Sequence, residues 1–136
     1  MPFVLDASVV TSWALSDENE PAATAALMRA RKDSCAVPAL WRFEIRNALL
    51  MAERRKRLSG AETNKFLHEL AGLHIDEDFS TDETALLRLA RHHNLTVYDA
   101  AYLELAWRRS IPLATLDRVL ARAARAEKVP VIGHHA

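Results

Sequence analysis

FVLDASVVTSWAL, residues 3–15, is the stretch whose reading decides the fold. Phe3-Val4-Leu5 is an uninterrupted apolar run too short for a helix, the pattern of a strand buried on both faces of a parallel sheet. It delivers Asp6 at its carboxyl end. Ser8 offers an N-cap for a helix from Val9 to Leu15, which stops in the polar segment SDENEP, residues 16–21. One strand, one acid and one helix therefore occupy the first fifteen residues.

The same alternation continues outward. Pro21 is well placed to open a helix from Ala22 to about Arg31. Ala36-Val37-Pro38 reads as a second strand, followed by a long helical stretch from Leu40 to Arg57. Ser59 and Glu62 form a capping-box signature for a helix ending near Gly72. Leu73 to Ile75 reads as a third strand. Thr81 and Thr84 flank the start of an amphipathic helix ending around Asn94. Thr96-Val97 precedes a helix carrying Asp99, Ile111 to Ala114 is strand-like, a helix spans about Asp117 to Glu127, and Val129 to Ile132 reads as a final strand. Short apolar strands alternating with helices predict an α/β fold, a parallel sheet covered on both faces as an α/β/α sandwich.

The chain has 136 residues, half of them hydrophobic, which suits a single domain over 1–136 with its own core. Cys35 is the one cysteine, so an internal disulfide is excluded. Neither a signal peptide nor an apolar run long enough to span a bilayer is evident, and the expectation is a soluble cytoplasmic protein. Eighteen basic and eighteen acidic residues cancel, so no overall field draws in a polyanion. Any nucleic-acid binding must come from local clusters such as Arg54-Arg55-Lys56-Arg57. With three glycines there is no phosphate-cradling loop of the dinucleotide or nucleoside-triphosphate kind.

Ligands of an open parallel sheet collect beyond the carboxyl ends of its strands. Asp6 and Asp117 fall at that edge, and Asp99, at a helix N-terminus, can share it. On a helical wheel Asp99 shares a stripe with Tyr102, Leu103 and Ala106, whereas Glu104 and Arg108 point the other way. Glu44 shares a face with Leu40, Ala48 and Met51, opposite Arg42, Arg46 and Glu53. Each acid also has an ordinary role open to it: Asp6 as a cap or turn residue, Asp99 and Asp117 as N-caps, Glu44 as partner of an arginine. Taken together they form a poor way to stabilise a fold without a shared cation, because clustered carboxylates repel. Oxygen-only ligands favour magnesium or manganese over zinc. A carboxylate-bound metal site serves phosphodiester hydrolysis without a nucleophilic side chain. Ser8 and Thr115, two residues from Asp6 and Asp117, either orient water there or act as a helix cap and a strand-end residue. His92-His93 reads as a helix end, where histidine suits the dipole, and His134-His135 as a tail.

LDAS (5–8), WRFEIRNAL (41–49), YDAAYLELA (98–106) and ATLD (114–117) resemble the motifs of PIN-domain ribonucleases, particularly the VapC-like toxins of toxin-antitoxin modules. The resemblance runs over nearly the whole chain. It implies a PIN-like fold and a magnesium- or manganese-dependent endoribonuclease. Asp6, Glu44, Asp99 and Asp117 match the family's acidic cluster, Asn47 a polar position accompanying the glutamate, and Glu18 a place where related toxins often carry an acid. It further implies an RNA substrate, a cognate antitoxin and frequent homodimerisation. Trp13, Trp41, Phe43 and Trp107 offer more large aromatic surface than a small core must consume, which suits an interface, although core packing is expected for most of them. Two other readings remain open. One is a different magnesium-dependent phosphohydrolase, although Ser8 stands where a D-x-D phosphatase needs its second aspartate. The other is a non-catalytic module binding RNA or protein through the same fold.

Overall fold

A computed structural model of the chain describes residues 1–15 and 19–133. At its centre is a four-stranded, all-parallel sheet in the order β3-β2-β1-β4, with β1 at Phe3–Leu5, β2 at Cys35–Pro38, β3 at Ile75–Asp78 and β4 at Leu113–Ala114. In register, Val4 lies between Ala36 and Leu113. Every residue of β1, β2 and β4 is buried. The continuous apolar runs follow from helices covering both faces.

The helices are α1 (Ala7–Ala14), α2 (Pro21–Ala30), α3 (Trp41–Arg54), α4 (Gly60–Leu70), α5 (Glu83–His93), α6 (Val97–Arg109) and α7 (Arg118–Ala126). Pro21 occupies the first turn of α2, where its missing N–H costs nothing. The capping box is formed: Ser59 Oγ accepts from Glu62 N at 3.1 Å and Glu62 Oε1 from Ser59 N at 2.9 Å. α5 starts on Asp82, whose carboxylate accepts from Ala85 N, and ends on Asn94 in the left-handed region at φ 52°. Cys35 is buried, and desolvation pushes its thiol up to about 12, which leaves it unreactive as a nucleophile.

Four expectations change. α1 begins at Ala7 with Asp6 in the N-cap position, so Ser8 lies inside the first turn and its hydroxyl is free for other work. The third strand is Ile75–Asp78, displaced toward IDED, an acid-rich sequence that suits the sheet edge it occupies because charge blunts edge pairing. The final strand reduces to a single bridge, Leu113 to Val131. Glu104 does not face water. α6 packs against α5, α7 and the sheet, burying every residue from Ala100 to Ala106, and Glu104 is 1% exposed.

Such burial of a carboxylate requires a partner. Arg108 Nε donates to Glu104 Oε2 at 2.6 Å, and the backbone N–H of Asp82 donates to the same oxygen at 3.2 Å. The guanidinium also donates through Nη2 to Asp78 Oδ1 at 3.0 Å. Arg108 thus ties α6 to the edge strand, and the Glu104 carboxylate that it holds ties α6 to the start of α5. Burial raises the Asp78 carboxyl, but the Arg108 hydrogen bond, the Ser80 N–H and the two arginine charges outweigh it and hold it below the usual range.

Trp41 is buried, and Trp13 packs half-buried with its Nε1 donating to Ala23 O at 2.7 Å. Phe43 and Trp107 lie on the surface. No helix among the described residues is long and apolar enough to cross a membrane.

Candidate active site

Parallel strands put all their carboxyl ends on one edge, and the four acids come from elements that start there. Asp6 follows β1 directly, and Asp117 follows β4 after Thr115 and Leu116. Glu44 lies in the first turn of α3, which begins shortly after β2, and Asp99 in the first turn of α6. Four helix N-termini thus carry the acids, an arrangement whose dipoles favour negative charge.

The acids differ in how they are held. Asp6 is 6% exposed, and its Oδ2 accepts from Ser8 Oγ at 2.7 Å and from Thr115 Oγ1 at 2.6 Å. Ser8 Oγ in turn accepts from Leu116 N at 3.0 Å, and Thr115 Oγ1 from Asp117 N at 3.0 Å. The two hydroxyls therefore lock the first acid to the turn bearing the last. Ser8 and Thr115 are neither a helix cap nor an idle strand end. Glu44 is half-buried, and Tyr102 donates its hydroxyl to Glu44 Oε1 at 2.5 Å. The Asp99 N–H donates to Thr96 Oγ1 at 3.1 Å, so Thr96 rather than Asp99 caps α6. Asp117 does cap α7, through Oδ1 to Val119 N at 2.9 Å and Leu120 N at 3.1 Å. The ordinary role expected of it is real there and engages one of its two oxygens.

Electrostatics ties the four together. Burial raises the Asp6 carboxyl above its usual range; the Thr115 and Ser8 hydroxyls partly offset this, and the Asp99 charge adds to it. Glu44 is raised by burial, eased by Tyr102, and raised again by Asp6 and Asp99. Asp99 is raised by burial and by the Asp117 charge, with Thr96 easing it. Among the described residues no lysine or arginine pairs with any of the four. A raised carboxyl makes the folded chain hold its proton more tightly than the unfolded one. Asp6, Glu44 and Asp99 therefore contribute stability that is present below the ordinary carboxyl range of about 4 and is lost as pH rises through their raised values. At neutral pH the site works against the fold.

A hard divalent cation would reverse that sign. The donors are carboxylate oxygens alone, the set preferred by magnesium and manganese and a poor one for zinc. The four carboxylates do not form a closed shell: among the described residues, the trio whose ligand atoms all lie within 4.8 Å of one another is His92, His93 and Glu127. The residues fit such an ion in charge and donor chemistry.

Asn47 is exposed on α3 one turn beyond Glu44, with no hydrogen bond to the acids among the described residues. Glu18 and the tail histidines His134 and His135 lie outside the described residues. Tyr102 is the site residue to which the sequence reading gave a place, the stripe shared with Asp99, but no role. Its signal was available: it sits one turn after Asp99 on the inward stripe, and a buried tyrosine hydroxyl needs an acceptor.

A PIN domain family model matches residues 3–126. Ribonuclease VapC3 of Pyrobaculum aerophilum is 33% identical over 138 residues, covering 97% of this chain and 98% of that protein. The crystal structure of PAE2754, also from Pyrobaculum aerophilum, superposes with a TM-score of 0.70 at 27% identity, covering 96% of this chain and 83% of the other.

Proposed function

The chain belongs to the PIN-domain family, and on that premise we propose that it is a divalent-metal-dependent endoribonuclease, the toxin of a toxin-antitoxin module acting in the cytoplasm. What supports the reading is that four acids stand at four helix N-termini with no pairing lysine or arginine among the described residues, three of them raised by burial and by the charge of another of the four. A relative that is 33% identical over 97% of the chain and is named a ribonuclease supports the substrate class. The same reading carries a cognate antitoxin and a homodimer.

Asp6, Glu44, Asp99 and Asp117 would hold magnesium or manganese. When bound, the ion supplies Lewis acidity toward phosphodiester oxygens and makes water a competent nucleophile near neutral pH. The chain's own contribution is positional. Ser8 and Thr115 fix the orientation of Asp6 by taking one of its oxygens, and Tyr102 fixes Glu44 in the same way. The N-termini of α1, α3, α6 and α7 offset the repulsion between an entering phosphate and the acids. No side chain need attack the phosphorus.

A mixture of structured RNAs incubated with the protein is expected to stay intact in excess chelator and to be cut internally once magnesium or manganese is restored, with gel electrophoresis of the products as readout. Equal cutting with and without chelator would remove the metal from the account. RNA binding without cutting under any divalent ion would favour a binding module instead.

A further inference from the structure

The C-terminal ends of α5 and α7 bring together His92, His93 and Glu127, a set that includes none of the four acids. Each offers one ligand atom, and all these atoms lie within 4.8 Å of one another. His93 Nε2 and Glu127 Oε2 already share a hydrogen bond of 2.7 Å. We propose that these three residues form a second metal site, one that takes a divalent transition metal, with zinc as the test ion. The inference is independent of the nuclease reading.

Two imidazoles and a carboxylate are a zinc donor set that leaves a fourth position for water. It differs in kind from the oxygen-only set of the four acids, so metal softness separates the two sites. Zinc–ligand lengths of about 2.0–2.2 Å place tetrahedral ligand atoms roughly 3.3 Å apart. The His93–Glu127 pair must open slightly, and the third atom must close in. His92 can supply that movement, because its side chain is exposed and rests edge-on against His93 with ring centroids 4.6 Å apart. His93 and Glu127 are more fixed, at 11% and 14% exposure. A metal on Nε2 of His93 takes the place of the hydrogen bond to Glu127: the ligands are a neutral imidazole with its hydrogen on Nδ1 and an ionised carboxylate, and any further proton passes to solvent.

The surroundings favour a cation on balance. His92 and His93 lie in the last turn of α5, and Glu127 is the C-cap of α7, so two negative helix ends face the ion. The hydrogen bond from His93, foremost, holds the Glu127 carboxyl below its usual range. Arg88 is the opposing charge. Its Nη1 lies 3.5 Å from Glu127 Oε1, while its guanidinium sits over the Trp107 ring at 5.2 Å, so it engages the other carboxylate oxygen and leaves Oε2 to the metal. An ion here would clamp α5 to α7, both of which pack on α6, the helix that carries Asp99 and Tyr102.

Calorimetric titration of zinc into the full chain, in excess magnesium to occupy the acids, tests the site. The expected result is one zinc per chain, with binding weakened at least about tenfold in His92→Ala and in His93→Ala and unchanged in Asp99→Asn. His92→Ala keeps the test valid if loss of the His93–Glu127 pair unfolds the chain. No zinc binding by the parent, zinc binding unchanged in both histidine variants, or zinc binding lost in Asp99→Asn would each overturn the proposal.

Discussion

Asp6→Asn is expected to lower metal-dependent RNA cleavage at least about a thousandfold, equivalent to roughly 4 kcal/mol of lost charge stabilisation, while leaving the fold intact. Of the four acids, Asp6 is the most buried, and the hydroxyls of Ser8 and Thr115 hold it on one oxygen. An asparagine oxygen can accept both of those hydrogen bonds, so the scaffold survives. Its amide brings neither the charge nor the second acceptor that a divalent ion requires. Cleavage rates measured beside circular dichroism separate the two effects. Retained cleavage in a folded Asp6→Asn protein would place the chemistry elsewhere.

The largest effect on stability is expected at a residue with no part in that chemistry. Arg108→Ala removes the guanidinium that pairs with Glu104, which is 1% exposed, and leaves a buried carboxylate whose remaining partner among the described residues is the Asp82 N–H. Breaking a buried pair from one side costs about 3–5 kcal/mol. For a chain of this length that corresponds to a fall in Tm of about 10–20 °C. Glu104→Gln combined with Arg108→Ala should recover part of the loss, because the buried charge is gone. Thermal unfolding of the single and double variants measures both. A single variant within about 1 kcal/mol of the parent would mean that Glu104 finds water or another partner. Cleavage per folded molecule should be unchanged, since the hydrogen bonds of the brace join Arg108, Glu104, Asp78 and Asp82 and involve none of the four acids.

What was legible in the sequence followed from local signals that tertiary structure had no reason to override. Phe3 to Leu5, Ala36 to Pro38 and Ile111 to Ala114 read as strands because sheet interiors are continuously apolar, and the structure has strands at Phe3–Leu5, Cys35–Pro38 and Leu113–Ala114. Ser59 with Glu62, Pro21 and Asn94 marked helix ends through their own backbone chemistry. β3 was misplaced because IDED has no apolar run and owes its strand character to β2 beside it. Glu104 was read as solvent-facing because the wheel assumes one buried side, whereas α6 is covered nearly all round. At the site, strand ends and helix faces pointed to four acids. The roles of Ser8, Thr115 and Tyr102 depend on contacts between residues up to 109 positions apart, which no local pattern encodes. The His92–His93–Glu127 trio was hidden for the same reason, with its third member 34 positions beyond His93.

Thermal unfolding of the parent and Asp99→Asn, with and without magnesium, tests most directly whether a cation relieves the mutual repulsion among those acids. Without metal at neutral pH, Asp99→Asn should be the more stable protein, and the gap should close as pH falls through the raised Asp99 value. With magnesium at a hundredfold excess over Kd, the parent should gain about 2.7 kcal/mol and Asp99→Asn far less, reversing the order. An equal magnesium shift in both proteins, or a metal-free parent more stable than the variant at neutral pH, would contradict the account.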